Sequence, residues 1–243
     1  MPRNRVLLKL SGEALLGPNE ERPVFPYDPD TMLRIAREIA AAHHKDIEIA
    51  IVVGGGNIFR GAIGASKGMN RVSADQFGML ATVQNGIALH DLLGRVCKIE
   101  TRLMSGLEMR KVAEPYLPKK ASHHLERGRV IVLAGGTGNP YCTTDYAAAL
   151  RACEIEAKLL AKATNTDGLY TSDPRKDPDA VLIPFATYKR CLDEELRVMD
   201  TEAFALCRSE NLPIRVFSLK KQNNIESVLT GENIGSLVSS ATA

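Results

Sequence analysis

The chain has 243 residues, of which 44% are hydrophobic and 25% charged, with a formal net charge of +2. Such a length and composition can bury a full core, and α/β chains of this size often form one domain. Near-neutral charge with scattered Lys and Arg argues against a nucleic-acid tail or a membrane-surface patch, and leaves a small polar molecule as the expected partner.

The five cysteines (Cys97, Cys142, Cys153, Cys191, Cys207) show no CxxC pair and no Cys/His ligand pattern, so zinc and a disulfide framework are not expected; reduced packing residues are. Basic residues precede the first apolar run, but Lys9 and Glu13 break it before signal-peptide length. No stretch approaches the roughly 18 apolar residues of a membrane span, which makes a cytoplasmic protein the expectation.

In chain order, "RVLLKL" (5–10), "IEIAIVV" (47–53), "VCKIET" (96–101) and "RVIVLA" (129–134) read as buried strands, being short, β-branched and bounded by Gly or polar residues. A helix is predicted from about Thr31 to His44, with Asp28 as N-cap and Pro29 in the first turn. Another starts at Ser73, where Ser-x-x-Gln to Gln76 has capping-box spacing, and carries Met79, Leu80, Val83 and Ile87 on one face. The segment 146–164 is helical by composition, although "KLLAKAT" could end it as a strand. Asp200 caps a further predicted helix, and "IRVF" (214–217) and "GSLV" (235–238) read as strands. Strands alternating with helices predict an α/β fold with a mainly parallel sheet covered on both faces.

Three glycine clusters follow strands: "KLSGEALLG", "VVGGGNIFRG" and "AGGTGNPYCTTD". In an open parallel sheet such loops gather at the carboxyl edge, where bare backbone amides suit an anion. Thr143 and Thr144 add hydroxyls. The familiar phosphate signatures are absent: "GEALLGP" has proline where a P-loop needs Lys, and "GGGNIF" has Phe59 where a dinucleotide fold needs its third glycine.

These loops, together with "GMNRVSAD", "GMLATVQNG", "ALRACEIEA", "KATNTDGLYTSDP", "LRVMD" and "LPIRVF", resemble the amino-acid-kinase superfamily, and within it the bacterial-type uridylate (UMP) kinases, over about residues 6–237. The resemblance implies one domain over 1–243, a three-layer sandwich whose N-terminal part holds mainly UMP and whose residues from about 160 hold mainly ATP. It implies phosphoryl transfer from ATP to UMP, magnesium riding on the ATP phosphates without a protein ligand, a homohexamer, and an end to 146–164 as a strand.

Carried over residue by residue, the resemblance makes Lys9, Arg60 and Asp145 catalytic. Lys9 lies beside the γ-phosphate, Arg60 bridges the two nucleotides, and Asp145 orients Lys9, although Asp145 on its own could be only an N-cap. UMP falls to Gly55, Asp75 and the loop Thr137, Gly138, Asn139, Pro140, Tyr141, Cys142, Thr143 and Thr144, with Asp75, in the first turn of its predicted helix, accepting from the ribose. ATP falls to Lys9, Leu10, Ser11, Gly12, Gly56, Arg60, Thr164, Tyr170 and Asp173. Lys162 is a further candidate phosphate ligand, and Asp200 either assists the site or caps its helix. Some family members bind an effector GTP between subunits, and UTP is a second effector to consider. Arg102 and Arg129 match the GTP pattern, while His90 and Gly94 depart from it. Two other readings compete: a kinase for a small carboxylate, and a non-catalytic nucleotide-binding storage or regulatory protein on the same fold.

Overall fold

The structure is a computed structural model that describes residues 4–17, 25–197 and 199–240. Pro18, which carries the departure from the P-loop pattern, and Val198 of "LRVMD" lie outside the described residues.

The chain begins with β1 (Arg5–Leu10), a 3₁₀ turn (Gly12–Leu16), α1 (Pro29–His43), β2 (Glu48–Val53), α2 (Gly61–Ser66) and the long α3 (Arg71–Asp91), which runs on into a π turn (Leu92–Val96). It continues through β3 (Thr101–Ser105), β4 (Glu114–Pro115), α4 (Pro118–Glu126), β5 (Val130–Ala134), α5 (Thr144–Glu154) and β6 (Leu159–Thr164). The last part holds β7 (Leu169–Tyr170), β8 (Leu182–Ile183), β9 (Phe185–Thr187), α6 (Tyr188–Asp193), α7 (Thr201–Ser209), β10 (Ile214–Ser218), α8 (Asn224–Leu229) and β11 (Ser236–Ser239).

Nine strands form one sheet in the order β4-β3-β5-β2-β1-β6-β10-β11-β9, in which every neighbouring pair is parallel except β10 with β11. β7 and β8 pair separately as an antiparallel ribbon. Alternation along the central strands builds both layers of core. Val6, Leu8, Leu10, Ile49, Ile51 and Val53 pack under α1, α3 and α8, while Leu7, Ala50 and Val52 pack under α4, α5, α6 and α7. A strand buried on both faces is largely apolar, and β2 is buried at all six positions, its one charged residue, Glu48, being paired with Arg5. Each fully buried Leu or Ile contributes about 1.5–3 kcal/mol.

The helix α1 begins as its sequence predicts, with the Asp28 carboxylate accepting from the Thr31 N–H at 2.8 Å and Pro29 in the first turn. Asp200 likewise caps α7 through the Ala203 N–H at 3.0 Å. The segment 146–164 divides into the end of α5 and β6, the outcome the family resemblance favours.

Four expectations are corrected. The strand expected at 96–101 is not there: the π turn occupies Leu92–Val96, Lys98 takes φ +60°, and the extended run starts only at Thr101. A left-handed residue cannot continue a strand. The helix α3 is capped by Asn70, whose Oδ1 accepts from the Val72 and Ser73 N–H groups, and not by Ser73, so Asp75 lies beyond the first turn. On α3 only Met79 and Val83 of the predicted apolar face are buried, whereas Leu80 and Ile87 are exposed. Finally, Cys142 is exposed in a loop and is not a packing residue; all five cysteines are free.

Candidate active site

The carboxyl ends of β5, β2, β1 and β6 lie side by side, so the loops leaving them converge at one edge. Lys9 of β1 and Lys162 of β6 stand opposite each other in register. Asp145, the second residue of α5, reaches both. Its Oδ2 accepts from Lys162 Nζ at 2.6 Å, and its Oδ1 lies 2.9 Å from Lys9 Nζ, a charge contact off hydrogen-bond direction. Asp145 is therefore not a helix cap. That role belongs to Thr143, whose hydroxyl accepts from the Tyr146 N–H at 3.0 Å.

The three side chains are 10–16% exposed. Burial alone would raise the Asp145 carboxyl, but the two ammonium groups, Lys9 first, outweigh it and hold the group at about 2. Burial lowers Lys162, and Lys9 lowers it further, against the opposing pull of Asp145. Two cations around Asp145, with Asp200 acting more weakly on Lys162, place ammonium groups at the mouth of the sheet, poorly screened by water and suited to an incoming polyanion.

The first two loops pack closely on each other, and the third packs on the turn that follows β3. A Cβ on Gly12 would lie 2.7 Å from the Gly56 nitrogen, and one on Gly138, which sits at φ +85°, would lie 2.4 Å from the Gly106 carbonyl oxygen. Only glycine permits such approaches.

On the β5 side a cavity of about 210 Å³ is walled by Gly55, Gly56, Phe59, Gly61, Asp75, Gly78, Met79, Thr82, Gly136, Thr137, Asn139, Cys142, Thr143 and Thr144. Of the predicted UMP residues, Gly138, Pro140 and Tyr141 are not among its walls. Asp75 links α3 to this loop, since its Oδ2 accepts from the Tyr141 N–H at 2.8 Å while both oxygens accept from Arg71 Nε at 2.9–3.0 Å. The Thr143 hydroxyl donates to Asp200, so the carboxylate that caps α7 also fixes the start of α5. Sequence reading missed Phe59, Gly61, Gly78, Met79, Thr82 and Gly136, all of them lying inside motifs already singled out, "GGGNIFRG", "GMLATVQNG" and "AGGTGNPYCTTD".

On the other side, Tyr170 and Asp173 line a cavity of about 560 Å³ together with Thr166, Gly168 and Arg175. Asp173 pairs with Arg175 at 3.0 Å. Gly56, Arg60, Glu13, Asn165 and the same Arg175 line a neighbouring cavity of about 760 Å³. Arg60, half exposed, meets Glu13 at 2.6 Å. Two predicted ATP residues offer less than expected: Leu10 is fully buried in the core and its carbonyl accepts from the Gly54 N–H, and the Thr164 hydroxyl is engaged with Thr166. Ser11 and Gly12 lead from β1 into the 3₁₀ turn. Among the described residues no group of three or more His, Cys, Asp and Glu side chains is placed to hold a metal, and no helix is long and apolar enough to cross a membrane.

A parallel sheet with three glycine loops and a buried Lys-Asp-Lys cluster at its carboxyl edge defines an anion-handling α/β protein. Residues 4–218 match the model of the amino acid kinase family, and the chain belongs to that family. It is similar over its whole length to a UMP kinase of Bacillus anthracis, with 34% identity, a TM-score of 0.92 and coverage of 100% of this chain and 98% of the other. A UMP kinase of Ureaplasma parvum is also 34% identical, with a TM-score of 0.90 over 98% of this chain and 100% of the other. A uridylate kinase of Archaeoglobus fulgidus, 24% identical with a TM-score of 0.74 over 96% and 99%, shares the fold.

Proposed function

We propose that this protein is a UMP kinase, transferring the γ-phosphoryl group of MgATP to UMP to give UDP and ADP in pyrimidine nucleotide synthesis in the cytoplasm. The observation that carries the reading is the Lys9-Asp145-Lys162 cluster, held between a cavity walled by Asp75 and the 137–144 loop and the cavities walled by Tyr170, Asp173 and Arg60. Full-length likeness to two UMP kinases supports it.

The chemistry needs such a site. The acceptor is already an anionic phosphate oxygen, so no general base is required and repulsion between two polyanions is the obstacle. Two unit charges about 4 Å apart repel by roughly 4 kcal/mol at an effective dielectric of 20. Catalysis therefore rests on positive groups aimed at the transferring phosphoryl. In this reading Lys9 faces that group, oriented by Asp145, while Lys162 adds a second ammonium and Arg60 leaves Glu13 to grip both nucleotides. The Ser11, Gly12 and Gly56 amides hold ATP phosphates, and Tyr170 and Asp173 hold its nucleoside end. Gly55 and the 137–144 loop hold UMP, with Asp75 accepting from its ribose. Loop carbonyls and amides read the uracil edge, where cytosine would leave polar groups unpaired. Magnesium enters with ATP, borne by its phosphates.

The protein works as a homohexamer in this reading. The stripe of exposed apolar residues on α3, Phe77, Leu80 and Ile87 at helical spacing, supports burial against a second copy. GTP or UTP would act as effector between subunits. Arg102 and Arg129 both pair with Glu100, which an effector would have to displace.

A coupled ADP-release assay with UMP, CMP, glutamate and aspartate as acceptors tests the proposal. Turnover with UMP is the expected result. Turnover with a carboxylate would move the protein to another branch of the family, and none with any acceptor would leave a nucleotide-binding protein without catalysis.

A further inference from the structure

The motif "GMLATVQNG" lies in the middle of α3 and contributes cavity wall, yet its two buried polar side chains have no part in the transfer as described. Thr82 and Asn85 are both buried, Asn85 completely. Each reaches off the helix to a different glycine loop. The Thr82 hydroxyl donates to the Met79 carbonyl at 2.7 Å and accepts from the Gly135 N–H at 2.8 Å, at the root of the 135–138 loop. Asn85 Nδ2 donates at 2.7 Å to the Gly54 carbonyl and, again at 2.7 Å, to Asn57 Oδ1. Asn57 answers with its own Nδ2, donating to Asn85 Oδ1 at 3.1 Å and to the Pro26 carbonyl at 2.6 Å. The two amides thus form a closed reciprocal pair in which each side chain also holds a backbone carbonyl.

Packing leaves these groups no room to move. A Cβ on Gly55 would lie 2.8 Å from Ala81 Cβ and 3.0 Å from the Thr82 nitrogen, and one on Gly86 would meet Leu103 and Ala134 at 3.0–3.1 Å. A helix interior ordinarily has no use for a buried Asn. A buried amide is retained without penalty only when its donors and acceptors are matched, and here they are matched to the loops alone.

We infer that Thr82 and Asn85 are positioning residues for phosphoryl transfer, one turn of α3 setting the 54–57 loop and the 135–138 loop at a fixed separation. The inference rests on the UMP kinase reading, since that reading assigns the first loop to both nucleotides and the second to UMP. Thr82 then governs the acceptor alone, while Asn85 governs the alignment of the two.

The test is steady-state kinetics of the full chain with Thr82→Val, Thr82→Ser and Asn85→Asp, alongside thermal melting. Thr82→Val keeps the shape and removes the acceptor for the Gly135 N–H. It should raise KM for UMP at least fivefold and leave KM for ATP within twofold, and Thr82→Ser, which keeps the hydroxyl, should recover most of the loss. Asn85→Asp keeps one acceptor, loses both donated bonds, and should lower kcat at least tenfold. Should Asn85→Asp fail to fold, the Thr82 pair decides. An unchanged KM for UMP in Thr82→Val, whatever its melting temperature, would overturn the inference, as would equal losses in the Val and Ser variants. Absence of UMP turnover in the unsubstituted protein would instead overturn the kinase reading, and the inference with it.

Discussion

Replacing Asp145 by Asn removes one negative charge at almost constant volume and leaves Lys9 and Lys162 facing each other from adjacent strands. Removing one partner of a buried ion pair costs about 3–5 kcal/mol. The carboxyl itself gives a second figure, because its fall from 3.8 to about 2 corresponds to roughly 2.5 kcal/mol at about 1.4 kcal/mol per unit. We therefore expect a loss of about 3 kcal/mol at pH 7, read as a urea midpoint lower by about 1 M or more. The sign with pH follows from a depressed carboxylate: its contribution is complete above 3.8 and lost as pH falls toward 2, so the two proteins should converge in stability over that interval. Activity should respond at the other end of the scale. Without Asp145, burial and Lys9 act on Lys162 against the smaller pull of Asp200, and the ammonium gives up its proton at a lower pH, moving the alkaline limb of the kcat profile downward. Equal stability at pH 7, or a difference that persists undiminished to pH 2, would refute the placement of the charge.

Arg60→Ala should lower kcat at least tenfold, about 1.4 kcal/mol, in the coupled ADP-release assay, because the guanidinium now paired with Glu13 is the group expected to bridge the nucleotides. Asp75→Ala should raise KM for UMP and leave that for ATP nearly unchanged, since Asp75 holds the Tyr141 N–H on the acceptor side; an equal rise in both would count against the assignment. Gly138→Ala, at φ +85° and with its added Cβ 2.4 Å from the Gly106 carbonyl oxygen, should displace the loop. Calorimetry should then find UMP binding weakened at least tenfold, with a lower melting temperature as a second sign.

The parts of the fold that could be read from the sequence are those in which local chemistry and tertiary packing agree. β2 and β5 are β-branched runs followed by glycine, β1 is an apolar run followed by Ser11-Gly12, and Asp28-Pro29 signals the start of α1. β3 starts later than expected because the run 96–101 looks extended, whereas Val96 and Cys97 close the π turn in helical conformation and Lys98 turns left-handed, which their side chains do not announce. Ser73 has the spacing of a capping box, but Asn70, three residues earlier, captures the same free amides first. The predicted apolar face of α3 failed for a related reason: Leu80 and Ile87 point away from the sheet, while Thr82 and Asn85, polar by type, point into it. In the site, glycine clusters marked the loops correctly. Contacts such as Thr82 with Gly135, 53 residues apart, and Lys162 with Asp145 across β6 and α5 depend on topology, and spacing along the chain carries no record of them.

The place of β1 at the centre of the sheet has a consequence for biogenesis. It precedes the other described strands in the chain, yet one of its two neighbours is β6, which begins more than 150 residues later. At roughly 5–20 residues per second, one edge of β1 waits on the order of ten to thirty seconds on the ribosome for its partner. A nascent chain therefore carries Lys9 without its counter-charge and an open, apolar edge prone to mispairing, and has no competent centre until Lys162 has been synthesised.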